Sequence, residues 1–235
     1  MTSHPDEIER IRTVYDGYRK NDSKKKLWSR DNPGNQYIVA ERWNYIRKVL
    51  HGRYSDHSKY DAKVLDIGCG AGTILAEFRE LGLKDDNLHG VDVIEMRVKQ
   101  ARQNYPTLNF ELANAESLPY PAGIFDLVIF FTVFSSVLDV SVKRNIAREA
   151  ARVLKEDGAV LWYDFRYNNP WNDNVRGIRK KEIQHLFRGF ECQLKSITLL
   201  PQLARRLGRL TGVLYPVLAS VPFMRTHYLG FFLKK

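Results

Sequence analysis

The residues of this chain best spaced for chemistry lie in Val64-Leu65-Asp66-Ile67-Gly68-Cys69-Gly70-Ala71-Gly72, a short apolar run that breaks into alternate glycines. The run reads as a buried strand, and glycines at 68, 70 and 72 let the backbone turn tightly and approach a ligand. The helix expected next offers free N–H groups to the same ligand, which suits a nucleotide-like molecule. A dinucleotide loop places glycine at the sixth position of G-x-G-x-x-G, but Thr73 stands there. Asp66, just before the first glycine, repels a pyrophosphate and can receive a cationic amino group. Asp92 closes a second apolar run 20 residues after Gly72. A carboxylate there can accept hydrogen bonds from both ribose hydroxyls.

Two further segments follow in order: Asn114-Ala115-Glu116-Ser117-Leu118-Pro119-Tyr120, and Phe125-Asp126-Leu127-Val128 followed by Arg152-Val153-Leu154-Lys155-Glu156-Asp157-Gly158. Over about residues 60 to 165, these motifs together resemble class I S-adenosylmethionine-dependent methyltransferases, the broad group with a D-x-G-x-G loop and a D-A-x-x-L-P-F-like segment. The resemblance implies an S-adenosyl-L-methionine cofactor and an α/β, Rossmann-like, doubly wound seven-stranded sheet whose last strand is antiparallel. It implies that Asp66, Gly68, Gly70 and Gly72 line the methionine part, Asp92 the ribose, and Val93 and Ala115 the adenine. Cys69 and Phe131 complete the expected cofactor set. Asn114 departs from the usual aspartate, yet its amide oxygen can still accept the adenine amino proton.

Related enzymes often carry a histidine after strand four, where this chain has Thr132-Val133-Phe134-Ser135-Ser136. No catalytic histidine can be carried over. Methyl transfer gains much from proximity and exclusion of water, so a strong base is optional. For a hydroxyl acceptor the candidate base is Asp164, at the end of strand five; the alternative is a carboxylate that caps or pairs with Arg166. A non-catalytic protein that binds S-adenosylmethionine is the competing class of answer.

Short apolar runs alternating with helical periods from residue 63 predict parallel strands at Lys63-Ile67, Leu88-Val93, Asn109-Ala113, Phe125-Phe131 and Ala159-Phe165. Val142, Ile146, Ala150 and Val153 mark a helix that Asp157-Gly158 is expected to stop. Before the core, Ile8, Ile11, Tyr15 and Tyr18 share one face of a short helix, and a second helix covers about Gln36 to Leu50. The expected organisation is an N-terminal helical lid over 1–58, a core over 59–200 and 224–235, and a small helical insertion over 201–223. In the insertion, Leu203, Leu207, Leu210 and Leu214 fall on one helical face, and Arg205, Arg206 and Arg209 oppose its first leucines.

Tyr15, Tyr18, Trp28 and Arg30 of the lid, with Arg166, Tyr167, Asn169 and Trp171 after strand five, are the expected acceptor-lining residues. They suit O-methylation of a small molecule or sugar. The basic insertion adds a lipid-linked acceptor or peripheral contact with an anionic membrane. The formal net charge of +10 also admits an RNA-directed methyltransferase, but aromatics are not interleaved with the basic residues in a stripe, so nucleic acid ranks last. The histidines show no metal-ligand spacing, so no metal is expected. Cys69 and Cys192 are too few for a disulfide framework, and the polar N-terminus has no signal-like stretch; both fit a cytoplasmic protein, or one peripheral to the inner face of the membrane. The sequence does not decide the oligomeric state.

Overall fold

The computed structural model describes residues 5–19, 27, 29–53, 61–170 and 172–235. Seven strands, β1 (Val64–Ile67), β2 (Leu88–Asp92), β3 (Asn109–Leu112), β4 (Phe125–Phe131), β5 (Leu154–Phe165), β6 (Phe190–Leu199) and β7 (Arg225–Lys234), form one sheet in the order β3-β2-β1-β4-β5-β7-β6. The pairs β1–β2, β1–β4, β2–β3 and β4–β5 are parallel, whereas β7 is antiparallel to both β5 and β6. The sheet is the one the resemblance implied. Its strand order reverses beside β1, where the glycine turn leaves the sheet, and such a switch point opens a crevice at the carboxyl ends of parallel strands.

Alternation along the strands builds two cores. Val64, Leu127, Ile129, Leu161 and Tyr163 face one side, against Trp43, Ile46 and Leu50 of α2 (Pro33–Arg53), Leu75 and Phe78 of α3 (Thr73–Glu80), and Val98 and Ala101 of α4 (Glu95–Asn104). Leu65, Ile67, Val128, Phe130 and Trp162 face the other, against Val142, Ile146 and Ala150 of α5 (Val140–Val153) and Ile183 of α6 (Lys180–Leu186). The burial stripe of α2 runs Ile38, Trp43, Ile46 and Leu50. Asp157-Gly158 does not end α5: the helix stops at Val153, and β5 starts at Leu154 with a register shift against β4 before Ala159.

The insertion is not one amphipathic helix. It divides into α7 (Pro201–Ala204), a 3-10 turn at Gly208–Leu210, and α8 (Thr211–Ala219). Gly208 sits at φ 54°, a left-handed conformation that interrupts the helical period. Leu203 and Leu207 consequently pack with Ile38, Leu199, Ala204, Tyr215 and Ala219 in a satellite core between α2 and the insertion, while Leu210 turns outward.

Candidate cofactor and acceptor site

Where β1 ends, Gly68, Gly70 and Gly72 all take positive φ, at 76°, 55° and 82°. The N–H groups of Gly68 and Cys69 both donate to the Val91 carbonyl, which fastens the turn to β2. The glycines have different reasons for being glycine. A Cβ on Gly72 would stand 2.6 Å from the Phe110 ring and 2.9 Å from Tyr105, so packing forbids it. A Cβ on Gly70 would find only the Arg97 guanidinium, at 3.9 Å, so packing leaves it free and its positive φ alone calls for glycine. Cys69 turns inward: a Cβ on Gly90 would meet its Cβ at 2.9 Å, and its thiol is buried, with its pKa raised by desolvation and by Asp66 and Asp92.

Asp66 is the least satisfied group at the turn. It is buried, and neither carboxylate oxygen has a hydrogen-bond partner. Burial, and then the neighbouring Asp92, hold its pKa well above the usual carboxylate range. Asp92 is buried too, but each oxygen accepts one N–H: Gly70 at 2.9 Å and Ile94 at 2.9 Å. A carboxylate has about four lone-pair positions, so Asp92 retains capacity for ligand hydroxyls. Beyond β3, the Asn114 side-chain oxygen accepts the Glu116 N–H at 3.0 Å, which shapes the turn carrying the half-buried Ala115.

Helix α1 (Pro5–Arg19) spans the loops above these groups. Arg12 reaches the Val93 carbonyl at 3.4 Å, and the Arg97 guanidinium lies over the Tyr15 ring. The Tyr15 hydroxyl pairs with Ser136 at 2.9 Å, Arg10 donates to the Ser136 carbonyl, and Glu7 accepts the Leu138 N–H at 2.6 Å. Tyr18 hydrogen-bonds Asn172 in the loop after β5. One helix thereby bridges the loops that follow β2, β4 and β5, and with Asn174 and Val175 it encloses a small recess. The Tyr15 and Tyr18 rings meet edge to face on α1, with centroids 5.5 Å apart. Exposed Arg30 instead acts on Glu77 of α3, and Trp28 and Trp171 lie outside the described residues. In the loop after β5, Arg166 lies over Tyr167 and Tyr228 and donates to the Pro222 carbonyl, while the Asn169 carbonyl accepts the Asn172 N–H.

Asp164 does not face this recess. It is fully buried among the residues that pack with α5, and its two oxygens accept the N–H groups of Ser135 and Phe165 at 3.0 and 2.8 Å. Desolvation raises its pKa to about 6, against those hydrogen bonds. Arg166 is not its partner in these bonds; through Ser135, Asp164 holds the loop after β4 in place.

At the β4–β5 end of the crevice stands a cluster that sequence reasoning largely missed. The Arg42 guanidinium lies 5.1 Å from both the Phe131 and Tyr163 ring centroids, with Nε buried and unpartnered. Tyr163 pairs with Thr198 at 2.9 Å and stacks on His227. Glu41 accepts from the Thr198 N–H and the Tyr215 hydroxyl. These residues come from distant stretches of chain and carry no motif; only the aromatic run ending at Phe131 pointed to the place.

The family described as "Methyltransferase domain" matches residues 64–158, the span from the glycine turn to the start of β5. Over that span the chain carries a methyltransferase domain, as the resemblance to class I S-adenosylmethionine-dependent methyltransferases implied. It is similar to the ubiquinone/menaquinone biosynthesis C-methyltransferase UbiE of Campylobacter jejuni, 28% identical over 131 residues, which are 54% of this chain and 53% of that relative. The chain thus spans about half the length of the curated relatives it matches. Among solved structures, the PH0226 protein from Pyrococcus horikoshii OT3 superposes with a TM-score of 0.63 at 17% identity, covering 94% of this chain and 99% of that one. A SAM-dependent methyltransferase from Archaeoglobus fulgidus gives 0.61 at 15% identity, covering 85% and 94%. These likenesses show that the methyltransferase domain's fold extends beyond its matched span, through β7.

The residues fit the cofactor of such a domain. Asp66 is a buried carboxylate without a partner, suited to an ammonium group, and the open approach at Gly70 leaves room beside it.

Proposed function

We propose that this chain is an S-adenosylmethionine-dependent methyltransferase acting on a small-molecule acceptor that enters beneath α1, between the loops following β4 and β5. The observation that carries the reading is the partnerless Asp66 carboxylate at the foot of the glycine turn, with α1 closed over the same turn. Bound S-adenosylmethionine supplies an electrophilic methyl group on a sulfonium. In this reading Asp66 receives the ammonium group, Asp92 the ribose hydroxyls, and Val93, Asn114 and Ala115 the adenine. Phe131 borders the methyl donor, and Tyr15 and Tyr18 exclude water from the acceptor.

An oxygen acceptor was the expectation from sequence, with Asp164 as its base. The buried, doubly bonded Asp164 supports a loop-holding role instead, which favours an acceptor atom that is nucleophilic without a carboxylate base. Activated ring carbons, as the name of the similar C-methyltransferase suggests, and phenolate oxygens both qualify. A sugar hydroxyl fits less well. The test is methyl transfer from labelled S-adenosylmethionine to a panel of phenols, quinols and sugars, with product and S-adenosylhomocysteine both measured. Cofactor binding without turnover on any class would favour a non-catalytic binding protein.

A further inference from the structure

The most exposed apolar side chains lie together on the insertion, far along the chain from the cofactor turn. Leu210, Val213, Val217 and Phe223 are 61%, 70%, 61% and 74% exposed, against at most 52% for any other large apolar side chain described. Val213 and Val217 lie on the outer face of α8 and Leu210, capping the helix, continues it at the i, i+3, i+7 spacing, while Thr211, Tyr215 and Ala219 bury the inner one. No residue of α8 is charged. The cations stand at its amino end, where Arg206 and Arg209 are exposed, and no acidic residue occurs after Glu191. A contiguous apolar face rimmed by charge of one sign is what an interfacial segment presents to lipid.

We infer that the outer face of α8, with Phe223, Arg206 and Arg209, docks this chain on an anionic lipid bilayer. Among the described residues no helix is long and apolar enough to cross a membrane, and α8, with nine residues, can only lie within the interface. Charge decides against a second copy of the chain as the occupant: an isologous pairing of these faces would set one basic segment against another, with no acidic residue in either to offset Arg206 and Arg209. The inner face of the same helix explains why docking here would matter. Tyr215 donates to Glu41, which holds Thr198 and through it Tyr163 at the end of β5. The bilayer-facing helix therefore adjoins the crevice, and an acceptor dissolved in lipid would have a short path to it. This surface differs from the one the leucine pattern predicted, since Leu203 and Leu207 are turned into the satellite core.

The test is co-sedimentation of the full chain with phosphatidylcholine vesicles, with and without phosphatidylglycerol. Binding is expected with phosphatidylglycerol at low salt, weakening as salt screens the arginines. The Val213→Asp/Val217→Asp variant should lose about tenfold or more of that binding, and Arg206→Glu/Arg209→Glu should lose the preference for anionic lipid. Circular dichroism and unchanged S-adenosylmethionine affinity would show that the variants remain folded. Failure of the wild type to pellet with anionic vesicles would overturn the inference, as would a Val213→Asp/Val217→Asp variant that binds like wild type. A concentration-dependent dimer that Val217→Asp dissociates would assign the face to a second copy instead. None of these readouts needs turnover, so they stand or fall apart from the proposed activity.

Discussion

The Arg97 guanidinium lies 3.9 Å from the centroid of the Tyr15 ring, which joins the first helix of the chain to the rim of the cofactor turn. The same guanidinium is 3.9 Å from Asp92 Oδ2, whose oxygen also receives the Gly70 N–H. Helix α1 and the Asp92 carboxylate therefore share one cation. A cation–π contact at a partly exposed site is worth roughly 0.5–1 kcal/mol, and each neutral hydrogen bond of α1 about as much. Each contact is small, so α1 is held by their number and not by any one of them.

Tyr15→Ala should loosen α1 without unfolding the core, because Tyr15 lies outside the buried clusters. Hydrogen exchange across residues 5–19 is expected to accelerate by about tenfold, and S-adenosylmethionine affinity to fall by a similar or smaller factor. Unchanged exchange in that helix would show that Tyr15 does not hold the lid.

Gly70→Arg and Gly72→Ala should separate ligand space from packing. The first enters open space and is expected to abolish cofactor binding, with a strain cost of about 1–3 kcal/mol for its positive φ. The second drives a methyl group against Phe110 and Tyr105, so its main effect should be a lowered melting temperature. Calorimetric titration and thermal unfolding on both variants read the two effects independently.

Asp66→Asn should weaken S-adenosylmethionine binding by on the order of tenfold to a hundredfold, the loss of one charge-assisted bond, while leaving the fold as stable or more so. The wild type carries a further signature. Because Asp66 is held well above the usual carboxylate range, a bound ammonium must favour its ionised form, so binding releases a proton and tightens as pH rises toward the free-state pKa. Titrations in buffers of different ionisation enthalpy measure that release. It should vanish in Asp66→Asn.

His227 predicts an acid limit to stability. Burial, then Arg42 and Arg205, depress its pKa from 6.5 to about 3. Between those values the unfolded chain binds a proton that the folded chain does not, so stability is present above the unfolded pKa and is lost as pH falls, by up to about 1.4 kcal/mol per pH unit. Asp164 works the other way: with a folded pKa raised to about 6, its contribution falls as pH rises from 3.8 toward 6. Denaturant unfolding from pH 4 to pH 7 should become flatter in His227→Gln and steeper in Asp164→Asn. Asp164→Asn should leave turnover per folded molecule unchanged.

The cofactor half was legible in the sequence because its geometry is local. The turn from Gly68 to Gly72, the carboxylate two residues before it and the strand alternation all write themselves into neighbouring residues. Phe125–Phe131 was read with its observed limits, since a run buried on both faces has few alternatives. The partners that hold Tyr15, and the cluster around Arg42, were not legible, because they are assembled across distance. Nothing near Arg97 in sequence announces Tyr15, and nothing near Arg42 announces Tyr163. In the insertion the leucine spacing was helical, but one left-handed residue, Gly208, parts Leu210 from Leu203 and Leu207.

Gly34 of α2 packs so tightly on the insertion that a Cβ there would stand 2.2 Å from the Ala204 carbonyl oxygen, while Asn32 donates to the Arg205 carbonyl. Two stretches at opposite ends of the sequence are thereby keyed into a single block. A chimaera that exchanged either stretch alone for that of another methyltransferase would inherit half a lock, so redesign of this chain must transplant α2 and the insertion as a pair.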